Sequence, residues 1–463
     1  MRTEQDLLGE RRLDDTAYYG IHTVRAIENF PLSGQRLHPE LIRALAAVKQ
    51  AAALANGDAG LIAREKVTAI VSACAEIASG ELADQFLTDA LQGGAGTSAN
   101  MNLNEVIANR AIELLGGKKG DYTLVHPIDD VNRSQSTNDV FPTAVRVAAI
   151  RLLKPVSQAF ANLQTALQEK EEAFADVLKI GRTELQDAVP ITLGQECGAW
   201  AQAVARDRWR LYKAEERLRQ INLGGTAVGT GLNAPRAYTF AAAEHLRELT
   251  GLGLARAEDP IDPTQNCDVF VEVSGLLKAA AVNLAKIAGD LRLLSSGPRA
   301  GFGEIHLPAL QAGSSIMPGK VNPVIPEAVT QAAYQIMADD MAITLAAQAG
   351  NLELNAFLPL IAKNLLEMLD LMRQSVKLLL EKCIAGMEPN RARCAALAEQ
   401  SPSLAAVLID HIGYDAASRI AKDCLQTGKT VRQALREDGR FTPEQIDRIL
   451  DPRAMTRADT IRF

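Results

Sequence analysis

Long helical stripes through the middle of this chain restrict its fold more than any other feature. From Val145 the apolar residues Ala148, Ala149, Leu152, Val156, Ala159, Phe160, Leu163 and Leu167 recur three and four positions apart. That is one face of a helix held for about six turns. Pro155 falls inside the run and predicts a kink. Further runs are expected over 193–219, 268–294, 326–349 and 353–387. In the 268–294 run Val269, Val273, Leu276, Ala280, Leu284, Ile287 and Leu291 share a face. Helices of this length bury such stripes against one another, so the expected core is a bundle. Ala279-Ala280-Ala281 and Leu345-Ala346-Ala347 carry apolar residues on more than one side, which predicts packing between subunits.

Composition agrees with helices. Aromatic residues are only 4% of the chain, so the core must be built from Ala, Leu, Val and Ile, a mixture that suits close helix packing. The fold class expected is all-α. The length predicts about three domains: a mainly helical N-terminal domain (1–138), a central long-helix bundle (139–388) and a small C-terminal helical domain (389–463).

The net charge of −7 is spread along the chain without a basic tract, which argues against a nucleic-acid partner. The six cysteines, at 74, 197, 267, 383, 394 and 424, show no C-x-x-C pair. They read as reduced, buried thiols. The six histidines are scattered, so no dedicated metal site is expected. Residues 1–15 are charged throughout and lack the apolar stretch of a signal peptide. No run approaches the roughly 18 apolar residues of a membrane span. The expected location is the cytoplasm.

Three Gly-rich segments stand between the helical runs: 92–97, 222–231 and 313–323. Glycine is costly inside helices and useful where backbone approaches a ligand, so these are expected at helix ends. The last of them, Gly313-Ser314-Ser315-Ile316-Met317-Pro318-Gly319-Lys320-Val321-Asn322-Pro323, gathers two hydroxyls, an ammonium and an amide. That set suits a carboxylate, above all one that gains charge during a reaction. An ordinary Gly/Pro surface loop is the competing reading.

As a whole string the segment resembles the signature of the fumarase/aspartase superfamily. Its continuation Val324-Ile325-Pro326-Glu327 resembles the ammonia-lyase branch. The resemblance extends over nearly the whole chain. It includes Tyr18-Tyr19-Gly20-Ile21-His22-Thr23, Gly96-Thr97-Ser98-Ala99-Asn100-Met101-Asn102, Ser134-Gln135-Ser136-Thr137-Asn138-Asp139, Gly181-Arg182-Thr183-Glu184-Leu185-Gln186-Asp187 and Gly297-Pro298-Arg299-Ala300-Gly301.

The resemblance implies a three-domain lyase fold whose long helices form a tetrameric helical core. It implies a homotetramer with each site assembled from three subunits. The implied activity is reversible anti-elimination of ammonia from L-aspartate to give fumarate, through an aci-carboxylate intermediate and with no required cofactor. Divalent-metal activation stays open. Ser314 would be the general base. Thr97, Ser136, Thr137 and Ser315 would hold the β-carboxylate, and Thr183, Lys320 and Asn322 the α-carboxylate. Asn138 would lie near the amino group, and Glu327 would act in support. A fumarate hydratase or an ammonia-lyase for a related amino diacid are the alternatives.

Two stretches depart from the pattern. Glu184 stands where many members have histidine, the partner of the residue matching Glu327. An ammonium substrate leaves as ammonia and needs no proton donor, whereas hydroxide does. A carboxylate at 184 would also attract the substrate's ammonium. A tolerated polar substitution explains Glu184 equally well. In His126-Pro127-Ile128-Asp129-Asp130-Val131-Asn132, Ile128 and Asp130 replace the Asn and His more usual in the family. This puts a second, non-catalytic carboxylate site in doubt, and His126 reads as a helix-end or packing histidine.

Overall fold

The computed structural model describes residues 1–456. Helices dominate among them, and strands are confined to four small two-stranded sheets. The all-α expectation holds apart from these ribbons. The chain forms two compact units, each discontinuous in sequence. The first comprises Met1–Ser157, Trp209–Ala281 and Tyr334–Arg373; the second comprises Gln158–Arg208, Val282–Ala333 and the chain from Gln374 onward. Every division falls inside one of five long helices: Thr137–Ala173, Leu193–Leu218, Asp268–Leu294, Val324–Gln348 and Leu358–Leu379.

Four of these match the expected runs to within two residues or, at the start of the first, extend them. The Thr137–Ala173 helix continues through Pro142 and Pro155 without interruption. Its stripe is buried as expected at Val145, Ala148, Val156, Phe160, Leu163 and Leu167, but Leu153 rather than Leu152 is fully buried. The fifth run differs more. It was expected from 353, whereas the helix begins at Leu358 and ends at Leu379, followed by a wider turn over Leu380–Ile384. Asn355 is the reason. Its amide donates to the carbonyls of Ala346 and Ala347, closing the preceding helix, and its oxygen accepts from Phe357 N–H. One buried amide therefore serves one helix end and the next helix start.

In the first unit the Pro39–Asp58 helix packs on the helices Arg64–Ser79 and Arg236–Thr250. Its buried residues include Ala44, Ala46, Ala51, Ala52 and Ala55. Their small side chains let helices approach closely without aromatic filler. In the second unit the short helices after Arg391 enclose a core of Leu404, Leu408, Ile420, Val431, Leu435 and Ile446. Capping boxes Thr430/Gln433 and Thr442/Gln445 start two of those helices.

All six cysteines are unpaired and buried. Burial pushes the Cys74 and Cys197 thiols up to about 12, far from the thiolate form that reacts. Native protein is therefore expected to react with a disulfide reagent such as DTNB only slowly, and unfolded protein to titrate all six thiols. Prompt reaction of one thiol in the native state would show a site open to solvent.

Candidate active site

Three of the four hydroxyls expected to hold the β-carboxylate, those of Thr97, Ser136 and Thr137, lie in the first unit. Gly96 precedes the Thr97–Leu114 helix with φ +96°, and a Cβ there would stand 2.5 Å from the Phe141 ring. Only glycine brings the chain this close to Phe141 and still lets Thr97 begin a helix. One turn on, Asn100 Nδ2 donates to Thr137 Oγ1 (3.1 Å). The segment Ser136-Thr137-Asn138 opens the long Thr137–Ala173 helix, and its frame is set by the buried carboxylate of Asp139. Asp139 accepts from the N–H groups of Ser136 (3.0 Å), Gly224 (2.9 Å) and Thr226 (3.1 Å). Burial pushes its pKa up to about 6, while those donors pull it back. Asn138 Nδ2 donates to Ala227 O (2.7 Å), and Asn138 O accepts from Asn222 Nδ2 (3.0 Å). The 222–231 Gly-rich segment thus meets the Ser136–Asn138 turn, and the 92–97 segment leads into the helix whose Asn100 reaches it.

The remaining expected residues lie in the second unit. Thr183 ends the strand Leu178–Thr183, which pairs with Gln186–Thr192. Glu184 and Leu185 form the two-residue tip, with φ of +54° and +62°. Both tip residues occupy the left-handed region that hairpin turns of this length demand and that non-glycine residues rarely adopt. Such strain persists where surroundings impose it. Here it presents Glu184 to solvent beside Thr183. Thr183 lines a cleft of about 400 Å³ together with Lys179, Arg182, Glu196, Lys286 and Asp290. Beneath the hairpin, Arg182 Nη1 lies 3.1 and 3.0 Å from the two oxygens of Glu304, whose side chain has no exposure. Lys179 Nζ stands 3.4 Å from Glu304 and 3.2 Å from Glu196.

The 313–323 segment lies immediately before the Val324–Gln348 helix, and Glu327 falls in that helix's first turn. The loop is stapled at its base. Gly313 N–H donates to Lys320 O (2.7 Å) and Asn322 Nδ2 to Gly313 O (2.9 Å). A Cβ at Gly313 would lie 2.8 Å from Lys320 O. Ser314 Oγ accepts from the N–H groups of Ile316 (3.2 Å) and Met317 (3.0 Å). Two backbone donors aimed at one hydroxyl oxygen favour its ionised form. Ser315, Lys320, Ile316 and Met317 are exposed.

Thr97, Ser136, Thr137 and Asn138 thus belong to one unit, and Thr183, Glu184, Ser314, Ser315, Lys320, Asn322 and Glu327 to the other, with no direct hydrogen bond between the hairpin tip and the 313–327 segment among the described residues. Sequence reasoning missed the groups beneath them: Lys49, Asn132, Asp139 and Glu304. Only Lys49 carries a signal, polarity within the apolar Ala-Ala-Val-Lys-Gln-Ala-Ala; Asn132, Asp139 and Glu304 stand among polar or Gly-rich neighbours that give none. In the departing stretch, His126 accepts from the N–H groups of Ile128 and Asp129, as a helix-end residue does. Asp130 is occupied by Lys66 Nζ (2.8 Å) and His126 N–H (2.8 Å). Among the described residues no group of three or more His, Cys, Asp and Glu side chains is placed to hold a metal ion. No helix of the described residues is long and apolar enough to cross a membrane.

Known proteins resemble this chain in sequence and in fold. The lyase family profile matches residues 9–338, and the fumarase C C-terminus profile matches residues 404–457. An aspartate ammonia-lyase from Bacillus sp is 47% identical over 456 residues, 98% of this chain and 97% of that protein. Aspartate ammonia-lyases from Pseudomonas canavaninivorans and Escherichia coli K12 are 49% and 45% identical, covering 98% and 97% of this chain and 96% and 95% of those proteins. A Brucella melitensis fumarate lyase:delta crystallin, solved bound to cobalt, superposes with a TM-score of 0.96 at 50% identity, over 98% of this chain and 99% of that one. A class II fumarase from Schistosoma mansoni gives 0.94 at 34% identity, over 98% of both chains. With these likenesses spanning nearly its whole length, the chain belongs to the lyase family of the fumarase/aspartase superfamily.

Proposed function

We propose that this protein is an aspartate ammonia-lyase that converts L-aspartate reversibly to fumarate and ammonia. The observation that carries the reading is the Ser314 hydroxyl, whose oxygen accepts from two backbone N–H groups in the 313–323 loop. A serine is a poor base at its ordinary pKa and needs such donors to ionise. The Ser314 alkoxide takes a proton from Cβ. The C–H electron pair moves into the β-carboxylate, which becomes a doubly charged aci-carboxylate. Thr97, Ser136, Thr137 and Ser315 donate to it. The pair then returns to form the C=C bond and expels ammonia with the C–N pair. Thr183, Lys320 and Asn322 hold the α-carboxylate, Asn138 lies near the amino group, Glu184 attracts the ammonium and Glu327 supports the loop that bears the base.

The site is assembled from three subunits of a homotetramer, which accounts for motifs so far apart in sequence. No step calls for a cofactor. The unpaired thiols agree with a cytoplasmic enzyme.

The test is to incubate the protein with L-aspartate, L-malate and substituted aspartates and to follow fumarate absorbance. Fumarate is expected from aspartate. Fumarate from malate alone would make the chain a hydratase, and turnover of a substituted aspartate alone would assign it to a related amino diacid. Glu184→Ala is expected to raise KM for aspartate by about tenfold, near 1.4 kcal/mol, with succinate affinity nearly unchanged because succinate has no ammonium. Unchanged aspartate kinetics would remove Glu184 from the site.

A further inference from the structure

Lys49 stands in the middle of the Pro39–Asp58 helix with no exposed surface. Its ammonium is held by two neutral amide oxygens, Asn132 Oδ1 at 2.8 Å and Gln135 Oε1 at 2.8 Å. No carboxylate among the described residues forms an ion pair with it. A buried charge costs far less when a carboxylate cancels it. Amide oxygens solvate the ammonium without neutralising it, and the buried Asp139 carboxylate offsets only part of its field from beyond ion-pair distance. Burial pushes Lys49 down to about 7, and Asp139 and, more weakly, Cys74 hold it up.

That field falls on one segment. Asn132 Oδ1 also accepts from Asn100 Nδ2 (3.2 Å) and Asn104 Nδ2 (3.1 Å). Asn100 Nδ2 in turn reaches Thr137 Oγ1 (3.1 Å). Gln135 adjoins Ser136, whose N–H is fixed by Asp139. Ser136 and Thr137, two of the four hydroxyls assigned to the β-carboxylate, therefore stand on a turn held by the Lys49 network.

We propose that Lys49 is a positioning residue for the elimination: a buried cation held by amides and without an ion-pair partner among the described residues, which fixes the Ser136–Thr137 turn through Asn132, Gln135 and Asn100 and stabilises the second negative charge gained by the β-carboxylate. The proposal rests on the assignment of those two hydroxyls to that carboxylate. In a merely structural role Lys49 would support the fold and affect both carboxylate states alike. As a cation acting on the turn it favours the state with added charge.

Two competitive inhibitors separate these roles. Succinate carries the ground-state dicarboxylate. Ionised 3-nitropropionate copies the planar, electron-rich geometry of the aci-carboxylate. Lys49→Met is expected to lose about tenfold or more of the nitronate affinity and under about threefold of the succinate affinity. Asn132→Asp keeps the lysine and its size but cancels its charge, and is expected to show the same selective loss. It carries the test if Lys49→Met does not fold. Thr137→Val, which removes a carboxylate donor, is expected to weaken both inhibitors. Equal losses of both inhibitors in the Lys49 and Asn132 variants, or no loss of either, would overturn the proposal. If both variants behave as native while Thr137→Val weakens both inhibitors, the carboxylate assignment stands and only the role of Lys49 falls. If Thr137→Val weakens neither, the assignment itself is wrong, and the proposal falls with it.

Discussion

Ser314→Ala is expected to reduce kcat for fumarate formation by about 10³-fold or more, roughly 4 kcal/mol of barrier, with succinate affinity changed by less than about threefold. The reasoning starts from acidity. A proton beside a carboxylate is very weakly acidic, so its removal needs a base positioned at Cβ. Within the 313–323 loop, Ser314 is the hydroxyl whose oxygen accepts from two backbone N–H groups, those of Ile316 and Met317. Those donors survive the substitution, and so does the staple from Gly313 to Lys320. The variant also removes the acceptor of those two N–H groups, which are exposed and should turn to water, while the staple keeps the base of the loop in place. Exchange of the aspartate Cβ proton with solvent deuterium is the sharper readout, because it follows proton removal without needing ammonia to leave. If Ser314→Ala still exchanged that proton at the native rate, the base would be another residue.

The parts of this structure that could be read from sequence have strong local causes. The Asp268–Leu294 helix has the bounds its apolar stripe predicts, because Val273, Leu284 and Leu291 repeat on one face for its whole length. The 313–323 loop is legible because glycine, proline and hydroxyl side chains have narrow backbone uses. The hairpin at 178–192 gives no strand pattern in the sequence. Its alternation is broken by the bulge between Ile180 and Arg182, where Gly181 lies against Val189 O. The N-terminal ribbon Arg2–Asp6 with Gly9–Leu13 is almost wholly charged or polar and offers no apolar face to count. Lys49 is the sharpest case. On a helix apolar on most sides, a lone lysine reads as the solvent edge, and only tertiary packing shows it buried against Asn132 and Gln135.

The buried charges of the second unit follow the same logic, and they carry the largest stability effect expected of any single substitution. Glu304→Ala should destabilise the protein by about 3–5 kcal/mol, the usual cost of removing one partner from a buried ion pair. Glu304 has no exposed side-chain surface; Arg182 and Lys179 are 13% and 3% exposed, so neither cation can turn fully to water. Glu196 still faces Lys179 (3.2 Å), but Arg182 loses both of its carboxylate contacts, keeping the Phe302 ring at 4.2 Å. The effect should appear as a lower urea midpoint with an unchanged slope. It should also reach the chemistry. Arg182 precedes Thr183 in the hairpin, so the α-carboxylate holder loosens and KM for aspartate should rise more than kcat falls. Arg182→Met combined with Glu304→Leu removes charge from both sides and should recover a large part of the stability while leaving KM high. If the single Glu304→Ala variant kept the native midpoint, water or a rearranged Glu196 would have to satisfy Arg182. The hairpin that carries Thr183 would then depend on its own strands, and not on the carboxylate beneath it.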